Sequence, residues 1–168
     1  MQTSQRRSDK FRKADIGPIH LTLEGHERLK AELAELKRVL PAYIAETQRT
    51  AAYGDRSDNA EYKQAKATLR RTNYRILEVE DQLKRIYIIS TDQKGVETVR
   101  LGVTVVLELK TGIQKTFQIL GSAETNPEKG LISFQSPLGT ALMGRCKNDR
   151  ITTETPAGSQ EYLILEIK

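Results

Sequence analysis

Apolar positions along the chain follow two rhythms, and the change falls near residue 90. Leu29, Leu33, Leu36, Leu40 and Tyr43 recur at alternating steps of four and three, the spacing of the a and d positions of a coiled-coil seam. Thr22 stands ahead of this run as a helix N-cap, with Glu24 and Glu27 near the positive helix end. Pro41 lies inside the pattern. Because Tyr43 and Ile44 continue it, a bend is expected there rather than a stop. Gly54-Asp-Arg-Ser-Asp-Asn59 then contains no apolar side chain and reads as a turn. In the next segment Tyr62, Leu69, Ile76 and Leu83 fall seven apart, and Ala65, Thr72, Val79 and Ile86 fill the other seam position. Two heptad segments joined by a short polar turn predict a long antiparallel helical hairpin over residues 19–89, with its tip at about 51–58. Residues 23–50, if helical, make a rod roughly 42 Å long at 1.5 Å per residue.

After residue 89 the pattern shortens. Residues 90–95, Ser-Thr-Asp-Gln-Lys-Gly, read as a linker. Segments 103–109, 115–120, 131–135, 150–154 and 161–167 are short and rich in Val, Ile, Leu, Thr and aromatics, with Gly- and Pro-containing turns between them. They predict an antiparallel sheet. Residues 137–144 fit a short helix, with Ser136 as its cap and Pro137 in its first turn. The expected fold class is therefore α+β: a coiled-coil hairpin (19–89) followed by a small antiparallel β-sheet domain with a short helix (90–168). Residues 1–18 show no periodicity and end at Gly17-Pro18; they read as a disordered basic tail, with a basic arm as the sharper alternative.

Composition agrees with a rod. Only 38% of the 168 residues are apolar and 29% are charged, as expected where much of the chain is too thin to hold a globular core. No apolar run approaches the ~20 residues of a membrane helix, so no membrane span is expected. No apolar stretch follows the basic start, so no secretory signal is expected either. The single Cys146 excludes an intramolecular disulfide and the cysteine-rich zinc sites. A cytoplasmic monomer is the expectation. The formal charge of +5 is uneven: +3 in residues 1–18, +2 in 19–89 and zero in 90–168. A polyanionic partner should meet the first half.

The turn supplies the candidate chemistry. Asp55 and Asp58 stand three residues apart, and two readings stay open at this point. Turns and helix starts favour Asp, and Asp58 could simply cap the second helix. Alternatively, the two carboxylates are offered from the end of a rod to a divalent cation such as Mg²⁺, which takes oxygen ligands and often uses only one or two protein carboxylates. Such a site would hold the metal only with ligands from another macromolecule. Beyond the turn lie Lys63, Lys66, Arg70, Arg71 and Arg75, and no acidic residue occurs from Tyr62 to Leu77. A solvated helix face is the plain reading, yet coiled coils usually alternate charge sign, and an unmixed basic stretch suits a nucleic-acid backbone. His20 and His26 lack metal-ligand spacing and read as structural. Ser57 and Ser136 have no paired His, and no phosphate-binding Gly loop is present. These residues do not make a complete enzyme.

Leu21-Thr-Leu-Glu-Gly25 with Leu29, Leu33 and Leu36 resembles the opening helix of the bacterial transcript cleavage factors GreA and GreB. Gly54-Asp-Arg-Ser-Asp-Asn-Ala-Glu-Tyr62 resembles their tip motif. Ile132-Ser-Phe-Gln-Ser-Pro-Leu-Gly-Thr-Ala-Leu-Met-Gly144 and Thr155-Pro-Ala-Gly158 resemble their C-terminal domain. The resemblance covers residues 19–168 and implies a hairpin that enters the secondary channel of bacterial RNA polymerase, with an FKBP-like C-terminal domain docked at the rim. It implies that Asp55 and Asp58 hold a second catalytic Mg²⁺ jointly with the polymerase, stimulating the polymerase's own cleavage of backtracked RNA. Arg56 and Ser57 would support the tip. Lys63, Lys66, Arg70, Arg71 and Arg75 would engage the nascent RNA 3′ end, and Ser136 and Pro137 would dock on the polymerase. The sequence departs from the family in carrying Asp58 where Glu is usual and Gln135 where Asn or Asp is usual. Arg56-Ser57 is GreB-like, whereas Ala60-Glu61-Tyr62 is GreA-like. Two other functions keep the same architecture: a channel-binding polymerase inhibitor, or an RNA-binding coiled-coil arm independent of polymerase.

Overall fold

The computed structural model describes residues 17–53, 58–91, 95–155 and 158–168. Most of the basic tail, the tip residues 54–57, part of the linker and part of the turn at 156–158 lie outside the described residues. Strand β1 (Ile19–Thr22) leads directly into helix α1 (Leu23–Ala51), which is 29 residues long. Thr22 caps it as expected, its Oγ1 accepting from the Gly25 amide at 3.0 Å. Pro41 sits within α1 without ending it. Helix α2 (Ala60–Lys84) returns along α1. The half-buried or buried positions of α1 include Leu29, Leu33, Leu36, Leu40, Tyr43 and Thr50, and those of α2 include Tyr62, Ala65, Leu69, Thr72, Ile76, Val79 and Leu83. These are the heptad positions. A seam only two helices wide leaves most of them partly exposed, and Ile76 and Val79 are its buried apolar residues.

The heptad reading fails at its last residue. Helix α2 ends at Lys84, and Ile86 opens strand β2 (Ile86–Ile89), which pairs parallel with β1. Ile86 satisfies the seven-residue spacing, but the backbone turns at Arg85, whose amide bonds to the Gln82 carbonyl and whose carbonyl accepts from Ile19. A chain reversal here lets β2 run alongside β1 although the adjoining helices are antiparallel.

The second half holds a separate core. Strands β3 (Thr104–Leu109), β4 (Gln114–Leu120), β5 (Leu131–Ser133), β6 (Arg150–Thr155) and β7 (Gly158–Ile167) form a sheet in the order β5-β4-β3-β7-β6. Its apolar face packs Val103, Val105, Leu107, Ile119, Ile151 and Ile164 with Leu142 of helix α3 (Pro137–Leu142). Three of the four pairings are antiparallel, as expected, but β4 and β5 are parallel. The sequence between them, which reads as a turn around Asn126–Gly130, holds two 3-10 turns (Ser122–Glu124 and Pro127–Lys129) that carry the chain back before β5 begins.

The two halves meet at the foot of the hairpin. The Glu124 side chain is only 4% exposed. It accepts hydrogen bonds from the Thr22 amide at 2.6 Å and the Thr22 hydroxyl at 2.7 Å, and pairs with Arg28 at 3.1 Å. Thr22 thus caps α1 while tying it to the sheet domain. Gly25 leaves the space this carboxylate fills: a Cβ there would collide with the Glu124 side chain. Gly121 lies similarly against the His20 carbonyl, and the His20 ring meets Phe134 edge-on at 5.5 Å. Among the described residues, no helix is long and apolar enough to cross a membrane.

Candidate functional site

The free end of the rod is organised by one amide side chain. Asn59, in extended conformation ahead of α2, accepts from the Tyr62 amide at 2.9 Å through Oδ1. Its Nδ2 donates to the carbonyls of Thr50 and Tyr53, both at 2.8 Å. One residue therefore caps α2 and also reaches two carbonyls where α1 ends, of which that of Thr50 additionally accepts from the Tyr53 amide at 3.3 Å. Thr50 beneath it is 1% exposed and bonds its hydroxyl to the Glu46 carbonyl at 2.9 Å. Arg49 reaches both oxygens of Glu46, at 2.7 and 2.8 Å, and its guanidinium lies 5.6 Å from the Tyr53 ring centre. The hydrogen bond from Arg49 holds the Glu46 carboxyl below its usual range.

Asp58 does not cap. The cap belongs to Asn59, and the Asp58 carboxylate is exposed with no hydrogen-bond or ion-pair partner among the described residues. It borders an open depression of about 700 Å³ lined also by Arg49, Tyr53, Asn59, Ala60 and Glu61. Asp55, Arg56 and Ser57 lie outside the described residues. The local competition for the cap was legible as a choice between neighbours, since Asp and Asn both favour that position. What marks Asn59 as the cap is its second bond, to a carbonyl nine residues away at the end of α1, a partner that local sequence does not reveal.

The basic stretch divides in two. Lys63, Lys66, Arg70 and Arg71 are exposed and make no ion pair among the described residues, although Lys66 lies 5.6 Å from the Tyr62 ring centre. Arg75 is different. Its guanidinium binds both oxygens of Glu32 on α1, at 2.6 and 2.8 Å, and Glu78 at 2.9 Å. Hydrogen bonding to Arg75 lowers the Glu32 pKa. This side chain staples the helices together, so its guanidinium is already engaged within the hairpin.

Ser136 and Pro137 sit on the other half. The Ser136 hydroxyl accepts from the Gly139 amide at 3.0 Å and donates to the Ser133 carbonyl at 2.7 Å, while Pro137 is exposed at the first turn of α3. Gln135 is exposed and accepts from the Ser122 hydroxyl at 2.9 Å. The structure thus places Asp58 at the end of the helical hairpin and Ser136 and Pro137 on the sheet half.

Two known families match the chain in succession. Residues 19–88 match the family described as transcription elongation factor, N-terminal, and residues 93–168 the family described as transcription elongation factor, GreA/GreB, C-term. Transcription elongation factor GreA of Chloroflexus aggregans is 39% identical over 153 residues, covering 90% of this chain and 98% of that protein. GreA of Geobacillus kaustophilus is 37% identical over 150 residues, covering 88% and 95%. A crystal structure of the GreA factor homolog 1 protein of Thermus thermophilus is 30% identical, covers 90% of this chain and 99% of that one, and has a TM-score of 0.41. On the two family matches and these relatives, the chain belongs to the GreA/GreB family of transcription elongation factors.

Proposed function

We propose that this chain acts on bacterial RNA polymerase as a transcript cleavage factor, entering the secondary channel hairpin-first and stimulating the polymerase's own cleavage of backtracked RNA. The hydrolytic centre is the polymerase's. The chain's part is to present Asp55 and Asp58 as ligands for a Mg²⁺ held jointly with it. What supports this reading is the state of Asp58: exposed at the end of the rod, and relieved of capping by Asn59. An unengaged carboxylate is a fitting oxygen donor for a hard cation, and one or two such donors suffice where a second macromolecule completes the shell. When bound, the ion supplies the second positive charge used in two-metal hydrolysis of a phosphodiester.

The other residues act on the RNA and the docking. Lys63, Lys66, Arg70 and Arg71 extend from the tip along α2 as cations with no ion-pair partner among the described residues, able to hold the phosphates of the extruded 3′ segment while the acids meet the metal. Arg75 contributes by keeping α2 against α1. Ser136 and Pro137 would dock the sheet domain at the channel rim. Carboxylates at the leading end repel phosphate unless a cation intervenes, which disfavours an arm that binds RNA without polymerase.

The test is a stalled, backtracked polymerase complex incubated with the chain and Mg²⁺ while RNA length is followed. Shortened RNA is expected. Unchanged RNA with slower elongation would make the chain an inhibitor of the same architecture, and no effect on either would leave the RNA-arm reading.

A further inference from the structure

The Asn59 side chain joins the two ends of the tip. Its Nδ2 holds the carbonyls of Thr50 and Tyr53, and its Oδ1 holds the Tyr62 amide. Tyr53 is the last described residue before the tip segment, and Asp58, the first after it, is bonded directly to Asn59 through the chain. Capping alone needs only an acceptor oxygen, which Ser, Thr or Asp would provide. The two donated bonds are what only an amide can add at this length. They convert a helix cap into a clamp across the hairpin.

We propose that Asn59 is a positioning residue for the Asp58 carboxylate: by tying the end of α1 to the start of α2 it fixes where Asp58 stands at the end of the rod. This deepens the cleavage-factor reading and rests on it for its functional consequence. The clamp matters because a shared metal shell tolerates little misplacement, and an error of about 1 Å in a catalytic array can cost on the order of a hundredfold. It acts through Asp58 and need not touch metal or RNA.

Two substitutions separate the cap from the clamp. Asn59→Ser keeps an acceptor for the Tyr62 amide and loses both donated bonds. Asn59→Asp does the same with the native shape but adds a charge, so Ser is the primary variant. The experiment has two readouts on the full chain. In backtracked polymerase complexes, cleavage is measured at saturating factor across Mg²⁺ concentrations, together with polymerase affinity. Asn59→Ser should retain affinity and helix content, lower the maximal cleavage rate by about tenfold or more, and move half-saturation to higher Mg²⁺. Independently, amide hydrogen exchange should quicken at Ala52 and Tyr53 while Tyr62 stays protected. A variant with wild-type cleavage and Mg²⁺ dependence overturns the proposal, as does a loss of cleavage that merely follows a loss of affinity or helix content. Should wild-type protein fail to shorten RNA, the cleavage-factor reading falls by itself. The exchange rates still decide whether Asn59 clamps the tip, and unchanged exchange at Ala52 and Tyr53 would show that it does not.

Discussion

Asp58 and Asn59 are adjacent, chemically similar, and differently employed. The amide is engaged in three hydrogen bonds and the carboxylate in none among the described residues. This gives the acid a clean mutational signature. Asp58→Asn should leave thermal stability within about 0.5 kcal/mol of wild type, because an exposed side chain that caps nothing has little to lose. Stimulated cleavage should nevertheless be largely abolished while polymerase binding persists, and the same is expected of Asp55→Asn. A melting curve paired with the RNA cleavage assay checks both. Asp58→Glu restores the usual family residue and extends the carboxylate by roughly 1.5 Å. It should keep or raise activity and shift the Mg²⁺ dependence. An unmoved Mg²⁺ curve would withdraw Asp58 from the ligand set. At this scale the sequence was informative about residue type and ambiguous about assignment. Asp58 and Asn59 compete for one cap, and the winner is chosen by a carbonyl on the other helix.

At the scale of elements, heptad spacing made the hairpin legible because its repeat is long and the seam residues are local to each helix. The same rule extended the pattern one position too far, to Ile86, because a four-residue strand cannot declare a period of its own. The parallel β4–β5 pairing escaped for a related reason: the compact connection between those strands looks like a turn in sequence but contains two 3-10 segments. Arg75 shows how charge pattern can mislead. It belongs to an unmixed basic run along its own helix, but its partner Glu32 is 43 positions away on α1. Arg75→Ala should therefore loosen the hairpin, by up to ~1 kcal/mol for a half-exposed pair, and should affect RNA engagement less than Arg70→Ala or Arg71→Ala. The pair also gives a pH expectation. The Glu32 pKa is lowered in the folded chain, so its contribution is present above the ordinary carboxylate range and is lost as pH falls through the lowered value. Helicity followed by circular dichroism through acid titration should show Arg75→Ala losing less in that window than wild type.

Across the whole molecule, the division at residue 90 was readable, since period and charge both change there. The joint was not. Glu124 lies 102 positions from Thr22, and nothing in its surroundings marks it as the partner of a helix cap. Glu124→Ala should remove charge-assisted bonds and leave the Thr22 amide short of its acceptor, costing roughly 1.5–3 kcal/mol. Limited proteolysis around residues 90–95 should then release helical and β-rich fragments faster than in wild type. Equal cleavage rates would mean that the contacts of His20 with Phe134 and Gly121 hold the halves together without it.

The Glu124–Thr22 bond sits at the foot of a helix of 29 residues, and so it acts at the fulcrum of a lever. At 1.5 Å per residue that helix is about 44 Å long, and a tilt of about 5° at its base would sweep the far end through roughly 4 Å. Small angular play where Gly25 meets Glu124 is thereby magnified beyond any bond length at the tip. The aim of the rod is set by a carboxylate at the opposite end from its acids.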